Sequence, residues 1–198
     1  MGSLYIYIAI PWSNWIIETL VVVDIQPAYA SRWPALHNAI DKINNHTGNI
    51  VLFVNEELTN DSMDDIKLWW LESGMSEDVL DRAIINDKGY GILRDWMDSG
   101  IDSDVIVQAL HYMNENNIIS SEDIDISDPN LPEEVREAIE DRSGCIHSVF
   151  LDEDIISVIR KDYLIIGGSK NECLEEVKIF LEYSAKNAIP LNHLIYDG

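Results

Sequence analysis

Two uninterrupted β-branched runs with one helical stretch between them constrain this chain more than any other feature. "TLVVVDIQ" (19–26) is apolar at consecutive rather than alternate positions and ends at Asp24, ahead of Pro27. That is the pattern of a strand covered on both faces. Leu36, Ala39, Ile40 and Ile43 then recur at helical spacing as far as Gly48, and "NIVLFVN" (49–55) repeats the buried-strand pattern. Strand, helix and strand in this order make a βαβ unit. The last third returns to the same order, with "YLIIGG" (163–168) as a strand, "NECLEEVKIFLEYSAKN" as a helix and "LNHLIYDG" as a closing strand. Ser169 and Glu172 have capping-box spacing, which starts that helix at Lys170 or Asn171 and puts Cys173 in its first turn.

The expected fold is therefore α/β: a single doubly wound, mostly parallel sheet with helices on both faces. Residues 61–142 read differently. "DSMDDIKLWWLES", "SEDVLDRAII" and "DSDVIVQALHYMNEN" each carry apolar residues three or four apart behind Asp or Ser starts. An acidic loop with two prolines (120–134) leads into the helix "PEEVREAIEDR". This span is expected to be a helical insertion in a single domain covering 19–198. Residues 1–18 are expected to form an arm or an extra edge strand, because "LYIYIAI" is apolar for too short a run to be a membrane span and no Lys or Arg precedes it.

Charge narrows the function classes. Against 36 acidic side chains stand 13 basic ones, a net charge of −23, which disfavours a sequence-independent grip on nucleic acid. Two cysteines in 198 residues read as reduced thiols in a cytoplasmic protein.

In a doubly wound sheet, ligands bind beyond the carboxyl ends of the strands, where strand order reverses. If the first strand is central and "YLIIGG" lies beside it, Asp24 and the Gly167-to-Cys173 turn open onto one crevice. A thiol in a helix first turn is favoured as thiolate by the unpaired N–H groups there. Asp24 is placed to move its proton, and backbone N–H groups of Gly167 and Gly168 to hold an oxyanion. Glu172, Glu175 and Glu176 flank Cys173 and work against a second anion. Cys173 as a small buried residue thus stands beside the nucleophile reading.

With Asp24, the glycine turn and Cys173 in place, the chain resembles the isochorismatase-like cysteine hydrolases. Those proteins open with an apolar strand ending in Asp, one residue and Gln, as "VVVDIQ" does, and carry a later strand ending in Gly followed by a Cys at a helix start, as "GGSKNEC" does. The resemblance implies a parallel sheet with helices on both faces, and an Asp acting with a Lys to activate the Cys. It implies hydrolysis of a small amide or related substrate without a cofactor, and an oligomer in several members. Lys88 in "INDKGYGILRDW" is the match for the lysine. Its other reading is a solvated turn lysine. The sequence departs from the family in the long helical stretch after Lys88 and in Glu175 and Glu176 after the cysteine.

Other groupings compete. Asp24, Glu172, Glu176 and Asp197 offer hard oxygen ligands for Mg²⁺ or Mn²⁺, as in phosphodiesterases or nucleases resembling the PIN or NYN domains. Six tryptophans and a large acidic surface also suit a non-catalytic interaction protein, a decoy or an inhibitor. "GCIHS" places Cys145 and His147 on one face of an extended segment with no evident third group. The five histidines form no metal-ligand spacing.

Overall fold

A computed structural model describes residues 19–31, 33–56, 61–88, 91–141, 144–148 and 153–197. The arm expected at 1–18 lies outside the described residues. In chain order the elements are β1 (Thr19–Val23), α1 (Pro27–Ala30), α2 (Leu36–Asn44), β2 (Asn49–Val54), α3 (Met63–Glu72), α4 (Glu77–Arg82), β3 (Ile84–Asp87), α5 (Arg94–Asp98), α6 (Ser103–Glu115), a 3₁₀ turn (Ser121–Asp123), α7 (Glu133–Glu140), α8 (Glu153–Val158), β4 (Asp162–Gly167), α9 (Cys173–Tyr183) and β5 (Asn187–Ile195). The strands form one five-stranded sheet in the order β3-β2-β1-β4-β5, and every pairing is parallel. Strand order reverses between β1 and β4, so the fold is doubly wound α/β.

Alternate residues of each central strand feed opposite cores, as the pleat requires. Val21, Val23, Val51 and Phe53 pack with Trp96, Ile106, Leu110, Val135, Val177 and Phe180. Leu20, Val22, Ile50 and Leu52 pack with Ile40, Ile43, Ile66, Trp70 and Val79. Both faces being covered explains why β1 is buried at all five positions and shows no polar alternation.

The span 61–142 is not uniformly helical, because it contains β3. The helical spacing of Val79 and Leu80 runs on through Ala83 and Ile84 in sequence, but the chain leaves the helix at Ala83 (φ −75°, ψ 142°). Ile84 then enters the sheet opposite Val51. α3 and α4 are thus the crossover from β2 to β3. A capping box does start α3, where Ser62 accepts from the Asp65 N–H and Asp65 accepts from the Ser62 N–H. The one expected at Ser169 and Glu172 is not formed: α9 begins at Cys173 with Glu172 as its N-cap and no side-chain cap. The Ser169 carbonyl accepts the Glu172 and Leu174 N–H groups instead.

Candidate active site

Asp24 and Lys88 each stand one residue beyond the end of a strand. Asp24 N–H donates to the Phe53 carbonyl (2.9 Å) and Lys88 N–H to the Val54 carbonyl (2.9 Å), so both backbones are tied to the end of β2. Asp24 adopts φ +52°, a left-handed conformation that Asp tolerates better than most residues. β2 lies between β1 and β3, which puts these two positions roughly 10 Å apart across the sheet. Only a long side chain closes that gap. Lys88 Nζ reaches 3.4 Å from Asp24 Oδ2, with both side chains at most 1% exposed.

From the other side, β4 brings Cys173. Gly167 has φ +109°, and a Cβ there would lie 2.0 Å from the Val23 carbonyl oxygen. Only glycine permits β4 to end this close to β1. Gly168 N–H donates to that same Val23 carbonyl (3.1 Å). A Cβ on Gly168 would meet the Tyr196 ring at 2.7 Å. These glycines therefore set the close approach of the two strands, and the Gly168 N–H expected at an oxyanion is already bound to β1. The Gly168–Ser169 peptide is cis. The turn then delivers Cys173, 6% exposed and first in α9, beside the Asp24 carboxylate.

Asp24, Lys88 and Cys173 thus converge from β1, β3 and β4–α9. The contacts among them are loose: among the described residues neither Asp24 oxygen nor Lys88 Nζ has a hydrogen-bond partner of good geometry. The 3.4 Å ion pair exceeds the usual 2.7–2.9 Å of a charge-assisted bond, which leaves bonding capacity for a substrate.

Of the two readings left open for the sulfur, electrostatics favour the neutral thiol over a resting thiolate. Burial and the adjacent Asp24 charge push the Cys173 thiol up to about 12, Lys88 opposing them, so the sulfur rests as a neutral thiol. Burial raises the Asp24 carboxyl, while Lys88 and the thiol pull it back. For Lys88, burial works against the ammonium, but attraction to nearby acids, Asp24 foremost, outweighs it and the group is raised, hence protonated.

The metal-ligand reading is corrected by where the carboxylates point. Glu172 Oε1 pairs with the Arg94 guanidinium at 2.6 Å. Glu176, 2% exposed, accepts the Leu93 N–H at 2.8 Å. Asp197 is exposed. Among the described residues no three His, Cys, Asp or Glu side chains are grouped so as to hold a metal ion. Instead, Glu172 and Glu176, one turn apart on α9, fasten the segment after β3 beside the thiol.

Sequence reasoning used Gln26 only as part of the resemblance, with no role, and overlooked Asn55. Gln26 Nε2 donates to the Asn55 carbonyl (3.0 Å), the Asn55 N–H donates to Gln26 Oε1 (2.9 Å), and Asn55 Nδ2 reaches the Lys88 carbonyl (3.4 Å). Both are 1% exposed. The signal was available, since a Gln two residues past a strand-end Asp is polar in an otherwise apolar run.

The fold and this cluster of groups define a doubly wound α/β protein with a thiol, a carboxylate and an ammonium buried at the switch point of its sheet. No family model, curated protein or solved structure matches the chain.

Proposed function

We propose that the chain is a thiol-dependent hydrolase. More particularly, it is a divergent isochorismatase-like enzyme acting on a small amide or related carbonyl substrate. One observation carries the reading: Asp24, Lys88 and Cys173, far apart in sequence, meet in a single buried site at the carboxyl ends of the strands. In this reading Asp24 takes the thiol proton as sulfur attacks the carbonyl carbon, because a free thiolate is unfavourable before attack. Burial tunes the Asp24 carboxyl upward, toward the range in which a general base works near neutrality. The proton then passes to the leaving amine, and water releases the acyl group. Lys88 keeps Asp24 ionised in the resting enzyme and offsets the charge that develops on sulfur and oxygen. The N–H of Cys173, at the first position of α9 where a helix leaves its N–H groups without an intrahelical acceptor, is the donor assigned to the oxyanion in this reading. No step needs a cofactor.

The test uses small aldehydes, which mimic the carbonyl and trap a nucleophilic sulfur as a thiohemiacetal. In protein carrying Cys145→Ser, which leaves Cys173 as the one thiol, carbon-13-labelled aldehyde should give a protein-bound tetrahedral carbon signal, absent when Cys173→Ala is added and weakened by Asp24→Asn or Lys88→Met. A signal that survives the added Cys173→Ala refutes the assignment.

A further inference from the structure

We propose that Cys145 is a second functional thiol, a modification site for small disulfides, whose state is transmitted to the Cys173 site through the segment 91–96. Cys145 is half-buried, unlike Cys173. Its Sγ lies 3.0 Å from Ser120 Oγ and 3.7 Å from His147 Nε2, with the Ile146 carbonyl at 3.6 Å. His147 is exposed. The antiparallel bridge between Ser120 and His147 supplies what the sequence did not reveal: a hydroxyl on the other side of the sulfur from the imidazole's own strand. A thiol flanked by a hydroxyl and an imidazole at the surface has a local proton acceptor and an approach for a small electrophile.

The backbone around Cys145 is held from two sides: Ser121 and Ile119 bind Ile146 and Ser148, and the segment that frames the other site binds residues 144, 145 and 147. Cys145 N–H donates to Asp95 Oδ2 (3.0 Å) and the Trp96 indole N–H donates to the Gly144 carbonyl (3.1 Å). His147 N–H donates to the Ile92 carbonyl (3.1 Å). The same segment is bound on its far side by Glu176 at the Leu93 N–H and by Glu172 at Arg94. A Cβ at Gly144 would lie 2.5 Å from Asp95, so there is no slack between the two segments. A group attached to Sγ needs room between Ser120 and His147, and a displaced 144–147 backbone pulls on residues 92, 95 and 96.

The reaction is thiol–disulfide exchange. Cys145 sulfur attacks one sulfur of the disulfide and a new S–S bond forms. The old one breaks, and the departing thiolate takes the proton that His147 Nε2 accepted from the thiol. No external oxidant enters. The reactivity of Cys145 is independent of the hydrolase reading, on which only its functional consequence rests.

The full chain is treated with dithiodipyridine, release of pyridinethione is followed by absorbance, and the modified peptide is mapped by mass spectrometry. Cys145 should react at least ~10-fold faster than Cys173, and His147→Gln should slow it at least ~5-fold. In protein carrying the adduct at Cys145, iodoacetamide should label Cys173 at pH 9 at least ~3-fold faster than in untreated protein, because the segment covering it is loosened. Cys145→Ser protein given the same treatment should show no such change. Modification of Cys173 first, an unchanged rate in His147→Gln, or an unchanged Cys173 rate in the adduct would each overturn the proposal. A failure to trap an aldehyde at Cys173 would leave all of these rates as they are, so the two readings fail separately.

Discussion

Lys88→Met isolates the physics of the site, because methionine keeps most of the stem volume and removes only the ammonium. At 3.4 Å the ion pair with Asp24 is worth about 5 kcal/mol of Coulomb attraction at an effective dielectric constant near 20. Breaking a buried pair by removing one partner typically costs about 3–5 kcal/mol. The orphaned carboxylate has one escape, which is to take up a proton. Burial already raises Asp24, and without Lys88 the folded-state value climbs further. The folded mutant then holds a proton that the unfolded chain releases near its ordinary value of about 4. Stability is therefore fully retained below that value and is lost as pH rises through the folded-state value. Wild type has the same slope over a narrower window, since Lys88 holds the carboxyl down. Urea unfolding followed by tryptophan fluorescence at pH 5 and pH 8 reads the difference. The loss should be about 4 kcal/mol at pH 8 and less than about half of that at pH 5. Asp24→Asn combined with Lys88→Met should regain most of it, because no charge remains buried and Asn tolerates the φ of +52°. A loss under about 1 kcal/mol at pH 8, or one equal at both pH values, would refute the argument that the pair is buried and coupled.

Gly167→Ala combines a forbidden φ with a Cβ 2.0 Å from a backbone oxygen, so it should cost about 4 kcal/mol in urea unfolding and abolish aldehyde trapping at Cys173. Ser62→Ala removes the α3 cap and should cost about 1 kcal/mol with trapping unchanged. With its thiol near 12, Cys173 should be alkylated about tenfold faster per pH unit from pH 7 to 10, with no plateau. The rate should fall in Lys88→Met, which loses the cation that lowers the thiol, and rise in Glu176→Gln, which loses an anion that raises it. A plateau below pH 9 would contradict the electrostatic reading of the site.

How much of this was legible in the sequence follows from how local each signal is. β1, β2 and β4 announce themselves because both faces of each are packed, which leaves unbroken apolar runs. β3 is four residues long and half-buried, and its isoleucines continue the spacing of α4, so periodicity alone could not separate it. Asp24, Cys173 and Lys88 were each nameable, since two end or follow clear strands and the third sits in a short polar turn. Their juxtaposition depended on the strand order, which one sequence does not encode locally. Glu172 and Glu176 were seen as a like-charged pair one turn apart. Their partners, Arg94 and the Leu93 N–H, lie about 80 residues earlier, and no spacing rule connects them.

The unrecognised strand proves to be the one that the proposed chemistry requires. Were residues 84–87 the tail of a helix, Lys88 would have no fixed place relative to Asp24. In the sheet, its backbone is tied to Val54 and its side chain must cross the end of β2 to find a counter-charge. That geometry also bears on the apparent conflict between the proposed nucleophilic role of the thiol and a chain of net charge −23. The thiol meets buried charges first, because exposed carboxylates are screened by water and salt whereas Asp24, Lys88 and Glu176 are not. Around the sulfur stand two carboxylates and one ammonium, an excess of one negative charge when both acids are ionised. Such a site resists forming a thiolate on its own and rewards any step in which proton and nucleophile move together, which is the order of events in the proposed attack on a carbonyl.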